Sequence, residues 1–91
     1  MLQSYTAPQF WRHHANLPQP VKAHAKRRYA LFMTNPNHPS LKFKAIRRLP
    51  HVYSVRISDD YRALGVRKRN EITWFWIGSH TDYTALIKRL R

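Results

Sequence analysis

Three runs in the C-terminal half constrain the fold of this chain most. Val52–Ile57, Tyr61–Lys68 and Glu71–Ile77 are rich in β-branched and aromatic residues, and only Ser58-Asp59-Asp60 and Arg69-Asn70 separate them. Short polar breaks between such runs make hairpins, so three antiparallel strands are expected in sequence. Upstream the period is helical. Thr6-Ala7-Pro8-Gln9 has the form of a capping box, with Thr6 as N-cap, Pro8 in the first turn, Gln9 reaching back, and Tyr5 and Phe10 at the hydrophobic-staple positions. This predicts a short helix ending near Leu17. Pro18 and Pro20 then open a second helix, in which Val21, Ala25, Tyr29 and Phe32 form an apolar stripe opposite Lys22, Lys26 and Arg27.

Asn35-Pro36-Asn37-His38-Pro39 ends the second helix, and Leu41 to Leu49 reads as a basic connector. Gly78 breaks the last strand, and Ser79 with Asp82 forms an N-cap pair before a helix carrying Tyr83, Leu86, Ile87 and Leu90. With Leu2 to Tyr5 as an edge strand, the order is β-α-α-β-β-β-α. The expected fold class is α+β: a small antiparallel sheet with an N-terminal helical hairpin and a C-terminal helix, in one domain over residues 1–91.

Charge narrows the chemistry. The first carboxylate is Asp59, and ten Lys and Arg residues precede it with no acid among them. Paired carboxylates are thus excluded from the first two thirds of the chain, and catalysis has to run mainly on His, Tyr, Arg and Lys. A net charge of +13 calls for a polyanionic partner, either nucleic acid or a strongly acidic protein. A chain of this size buries only roughly 60–65% of its unfolded surface, which favours a surface groove over a deep cavity. No stretch is apolar enough to span a membrane, there is no cysteine for a disulfide or thiolate metal site, and no signal peptide opens the chain. The expected compartment is the cytoplasm.

Four groups of residues can carry function. Gly78-Ser79-His80-Thr81-Asp82-Tyr83 places His80 at a helix N-terminus, which attracts phosphate and favours a neutral imidazole able to move protons; equally, His80 can be a plain exposed first-turn residue. Tyr83 begins the helix's apolar stripe and reads first as a core or interface tyrosine. Arg56 shares a strand face with Val52 and Ser54, and Arg62 shares one with Leu64 and Val66. Such arginines either clamp a phosphate or are tied down by Asp59 or Asp60.

Lys42, Lys44, Arg47 and Arg48 alternate with Leu41, Phe43, Ile46 and Leu49, a pattern that buries one side and presents a basic ridge to phosphates, or else a solvated connector. Trp74, Phe75 and Trp76 alternate faces and read as core rings. His13, His14, His24, His38 and His51 lack metal-ligand spacing, so neither a metal nor a cofactor is called for.

From about Leu17 to Leu90 the chain resembles toxins of the RelE/ParE superfamily from bacterial type II toxin–antitoxin systems. The resemblance lies in Asn35-Pro36 with His38-Pro39-Ser40-Leu41, in Val52-Tyr53-Ser54-Val55-Arg56-Ile57-Ser58-Asp59-Asp60-Tyr61-Arg62-Ala63, and in Ile77-Gly78-Ser79-His80-Thr81-Asp82-Tyr83. It implies a metal-independent endoribonuclease, an mRNA interferase that cuts mRNA in the ribosomal A site and so inhibits translation. Arg56 and Arg62 would be phosphate and transition-state ligands, His80 the general acid or base, and Tyr83 a stacking or positioning group. Lys42 and Lys44, with Arg47 and Arg48, would face ribosomal RNA. The implied partners are a cognate acidic antitoxin and the ribosome with its mRNA; neither a membrane nor a homo-oligomer is required.

The chain departs from the best-known member at Ser54, where a lysine stands there, and at Leu86 and Ile87, where a tyrosine would serve. Its tail resembles branches that use a terminal histidine. Two alternatives remain open: a ParE-like inhibitor of DNA gyrase without nuclease chemistry, and a non-toxic basic nucleic-acid-binding module.

Overall fold

The computed structural model describes residues 2–90. Its strands are β1 (Gln3–Thr6), β2 (Lys44–Ile46), β3 (Leu49–Ser58), β4 (Tyr61–Lys68) and β5 (Glu71–Ser79), and its helices are α1 (Pro8–Ala15), α2 (Gln19–Thr34) and α3 (His80–Leu90). One five-stranded sheet runs β1-β5-β4-β3-β2. The pairs β2–β3, β3–β4 and β4–β5 are antiparallel, whereas β1 joins β5 in parallel. The expected α+β order is thus present, with β2 as an additional short strand inside the segment read as a connector.

Edge strand β1 displaces the expected capping box. Thr6 is still in the ladder, opposite Trp74, and the Ala7 N–H continues it by donating to the Trp74 carbonyl at 2.8 Å. Ala7 therefore becomes the N-cap of α1, with no side-chain cap, and the Thr6 hydroxyl accepts from the Trp11 indole N–H at 3.0 Å instead. Beyond the reach of β1, α1 lies against β5 and brings the His13 ring to 6.1 Å from that of Trp76. In α2, Val21, Ala25 and Phe32 turn inward as expected, but Tyr29 is 45% exposed. Arg28 takes the inward place one residue earlier, at the seven-residue spacing from Val21, and donates to the Ile57 carbonyl (3.2 Å) and the Ser40 hydroxyl (2.9 Å).

The sheet has a core on each face. Phe32, Leu41, Val55, Ile57, Ala63, Ile72, Trp74 and Ile77 are buried together, with α1 and α2 residues packed against them. Ile46, Leu64, Trp76 and Ile87 form the second cluster, with Tyr83 and Leu86 of α3 against it. A register shift sends the two tryptophans to opposite sides. Leu64 faces Trp76 and Gly65 faces Trp74, so Phe75 is an extra residue in β5 and strict alternation fails there.

Gly78 does not break β5. It pairs with Arg62 inside the strand, and it is glycine because a Cβ there would lie 2.6 Å from Cζ2 of Trp76. Gly78→Ala is expected to destabilise the fold by about 1–3 kcal/mol through overpacking. Chemical denaturation checks this; an unchanged midpoint would mean that the indole swings aside freely.

Candidate functional site

Alternation along β3 and β4 puts Arg56 and Arg62 on the sheet face that carries α3, because their neighbours Val55, Ile57 and Ala63 belong to the core under the helical hairpin. The two arginines are direct cross-strand partners. Like charges so placed repel, and a shared anion would relieve the repulsion. The structure supplies one carboxylate: Arg56 Nη2 donates to Asp59 at the turn, in a pair whose acid is 86% exposed. An ion pair that open contributes about 0–1 kcal/mol, so a phosphate can compete for Arg56.

Arg62 is held differently. Its Nη1 donates to the carbonyls of Ser58 (2.5 Å), Tyr61 (2.9 Å) and Asp59 (3.3 Å), all around the β3–β4 turn. No carboxylate ties it down. Its Nε and Nη2 make no hydrogen bond among the described residues, which leaves N–H groups for an incoming oxyanion. The turn thus fixes one arm of Arg62 and aims the guanidinium.

The same turn fixes the start of α3. The His80 N–H donates to the Asp60 carbonyl at 2.7 Å, and the Ser79 hydroxyl accepts from the Asp82 N–H at 3.1 Å, as the N-cap pair predicts. His80 is the first residue of the helix, its side chain is exposed, and its ring lies 5.6 Å from that of Tyr83. Tyr83 is partly buried against the second core cluster, so it is a packing residue that also flanks the imidazole. Arg56, Arg62, His80 and Tyr83 consequently share one face and one end of the sheet. Two cations and an imidazole beside a helix N-terminus suit a phosphodiester.

Lys42, Lys44, Arg47 and Arg48 do not form one ridge. Phe43 packs into the first core and Ile46 and Leu49 into the second, so their apolar neighbours point to opposite faces. Lys42 ends a 3-10 turn, Pro39–Leu41, in left-handed conformation. Lys44 stands opposite Ser54, which shares its face with Arg56 two residues on, so Lys44 extends the row of the candidate site. Arg47 and Arg48 connect β2 to β3 at the far end of the sheet.

The opposite face holds an open cleft of about 880 Å³ between α1, α2 and the sheet, in keeping with the surface groove expected of a chain this size. Phe10, Trp11, Tyr29, Phe32 and Trp74 line it, with Lys22, Lys26 and Arg28 among its basic residues. Trp11 and Tyr5, 53% and 49% exposed, stand at its mouth.

His14 lines the cleft, and burial, then the charge of Lys22, holds its pKa below the ordinary histidine value. As pH falls below about 6.5 the unfolded chain protonates at this position before the folded one, so the folded state loses stability there. His14→Phe is expected to flatten the fall in melting temperature between pH 7 and 5.5; parallel curves for both proteins would refute the assignment. His38, another histidine the sequence left unplaced, caps the 3-10 turn through Nδ1, which accepts from the Ser40 N–H at 3.2 Å. Among the described residues no three His, Cys, Asp or Glu side chains converge as metal ligands.

Comparison with known proteins places this architecture. The fold is shared with YafQ from E. coli strain BL21(DE3), at 11% identity and a TM-score of 0.71, covering 91% of this chain and 98% of that one. It is shared with a chain of the RelB–RelE antitoxin–toxin complex from Methanococcus jannaschii, at 15% identity and a TM-score of 0.70, covering 88% and 94%. The E. coli DinJ–YafQ toxin–antitoxin complex gives 9% identity and 0.69, covering 89% and 94%. A search of curated protein sequences finds no match. The ParE-like toxin domain, however, matches residues 19–85, from the first residue of α2 into α3. The chain therefore belongs to the family of the ParE-like toxin domain.

Proposed function

We propose that this toxin is a ribosome-dependent endoribonuclease that cuts mRNA in the A site and stops translation in the cytoplasm, using its own side chains and no metal. The carrying observation is Arg56 opposite Arg62 at the strand ends where His80 opens α3. Cleavage would begin when the ribose 2′-hydroxyl loses its proton and its oxygen bonds to the adjacent phosphorus. The P–O5′ bond then breaks and O5′ takes up a proton, leaving a 2′,3′-cyclic phosphate and a 5′-hydroxyl. Arg56 and Arg62 would neutralise the extra charge on the five-coordinate phosphorus, and His80 would accept or deliver one of the protons. Tyr83 would limit the swing of the imidazole, and Lys44 would hold the neighbouring phosphate.

The shape of the site supports ribosome dependence: it is an exposed sheet end, and the ribosome would supply the orientation of the RNA strand that an open surface does not. In the presence of EDTA, mRNA is expected to be cut when ribosomes are added and to stay intact without them. Equal cutting without ribosomes would reject the dependence.

The antitoxin would dock in the cleft on the opposite face. Its aromatic lining and basic residues Lys22, Lys26 and Arg28 suit an acidic segment with apolar anchors that orders on binding. A gyrase inhibitor is the second reading, favoured by the ParE-like family match alone.

A further inference from the structure

Cleavage of the kind proposed moves two protons, one off the 2′-hydroxyl and one onto O5′. The attacking and leaving oxygens lie on opposite sides of the phosphorus, so one imidazole beside the site serves one of them in the cleavage step. Among the described residues, one carboxylate is bonded at this end of the sheet, that of Asp59. Asp60 follows it and Asp82 lies in the first turn of α3, but neither side chain makes a hydrogen bond or ion pair among the described residues. No contact turns either of them toward the arginines.

Ser58 pairs with Tyr61, so Asp59 and Asp60 make a two-residue turn between β3 and β4. Oδ1 of Asp59 accepts from Nη2 of Arg56, whose cross-strand partner is Arg62. Oδ2 makes no hydrogen bond among the described residues, and neither do Nε and Nη1 of Arg56. One guanidinium can therefore hold the carboxylate with one N–H and a phosphate oxygen with the others. In RNA the 2′-hydroxyl lies next to the phosphate on its 3′ side, so a carboxylate that shares Arg56 with that phosphate is beside the hydroxyl too. The same turn sets the remaining groups: Arg62 Nη1 donates to the Asp59 carbonyl at 3.3 Å, and the His80 N–H donates to the Asp60 carbonyl at 2.7 Å.

The geometry points to Asp59 as the general base of the cleavage step, with His80 as its acid partner, an assignment that rests on the proposed function. Oδ2 of Asp59 takes the proton of the 2′-hydroxyl as O2′ bonds to phosphorus. As the P–O5′ bond breaks, its electron pair goes to O5′, which takes a proton from the His80 imidazolium. The step leaves Asp59 protonated and His80 neutral, and because both side chains are exposed, water restores them. A purely electrostatic role for Asp59 has the opposite consequence. A carboxylate that only neutralises Arg56 competes with the phosphate, and removing its charge would leave cleavage as fast or make it faster.

The test measures single-turnover cleavage on saturating ribosomes by the wild type, Asp59→Asn, Asp60→Asn and His80→Ala. Each is given an ordinary mRNA and one in which sulfur replaces O5′ at the scissile bond, a leaving group that departs as thiolate and needs no acid. Asp59→Asn is expected to slow cleavage of both substrates by about 10²–10⁴, since the 2′-hydroxyl must lose its proton in either case. His80→Ala should be slowed on the ordinary mRNA and brought close to the wild-type rate by the sulfur. Asp60→Asn should match the wild type on both. Asparagine suits the turn as aspartate does, so the melting temperature of Asp59→Asn should hold.

Asp59→Asn cutting at the wild-type rate or faster would make the carboxylate a counter-ion and overturn the base. Restoration of Asp59→Asn by the sulfur would move Asp59 to the leaving-group side, and an equal loss in Asp60→Asn would trace the effect to the charge of the turn; either result overturns it as well. A lower melting temperature in Asp59→Asn would show that the side chain serves the fold, with the same result. No restoration of His80→Ala would overturn the pairing of base with acid. Ordinary mRNA left intact by the wild type would reject the cleavage reading and the base with it, whereas cutting by the wild type and by Asp59→Asn alike would reject the base alone.

Discussion

His80→Ala is expected to slow single-turnover cleavage on saturating ribosomes by about 10²–10⁴, the usual contribution of a general acid or base, with ribosome affinity nearly unchanged. The substitution is clean for a structural reason. The His80 side chain is exposed, and the start of α3 is fixed by its backbone N–H on the Asp60 carbonyl and by the Ser79 cap, none of which alanine removes. Circular dichroism and the melting temperature should therefore match the wild type. Full cleavage by the folded variant would remove His80 from the mechanism and pass proton transfer to Tyr83, whose ring flanks it.

Arg62→Ala should be the most damaging substitution at the site because it removes two functions at once. Losing a guanidinium aimed at developing phosphate charge costs about 10²–10³ in rate. Losing the Nη1 contacts to the carbonyls of Ser58, Asp59 and Tyr61 costs about 1–3 kcal/mol of stability as well. Arg56→Ala separates the two effects. It removes an exposed ion pair of about 0–1 kcal/mol, so its stability should hardly move while its rate falls. If both arginine variants cleave at the wild-type rate, the cross-strand pair is structural and the site reading fails; if Arg56→Ala alone does, Arg62 carries the phosphate by itself.

The long periodic segments are legible in the sequence. The three β-rich runs, the two-helix entry and the Ser79–Asp82 cap all stand where the residues predict them. What escaped was decided by contacts remote in sequence. Thr6 looked like an N-cap because its hydroxyl precedes a proline, but its backbone belongs to a ladder with Trp74, a partner that local pattern cannot supply. Lys44–Ile46 is too short to show a period, and the bulged register behind it mixes residues of both faces.

The same limit applies around the site. Gly78 read as a breaker because glycine usually is one, whereas its reason is the indole of Trp76 lying over it. Sequence placed Arg56, Arg62, His80 and Tyr83 at separate junctions, and register brought them to one end. Arg28 was missed among its basic neighbours, although its seven-residue spacing from Val21 was a usable sign that it faces inward.

The most direct test of the central claim is end mapping on purified ribosomes programmed with a defined mRNA, with a gyrase supercoiling assay run on the same toxin preparation. The account predicts a cut within the A-site codon, a downstream fragment that polynucleotide kinase labels without prior phosphatase treatment, and unimpaired supercoiling. Intact mRNA together with blocked supercoiling would contradict it and assign this toxin to gyrase.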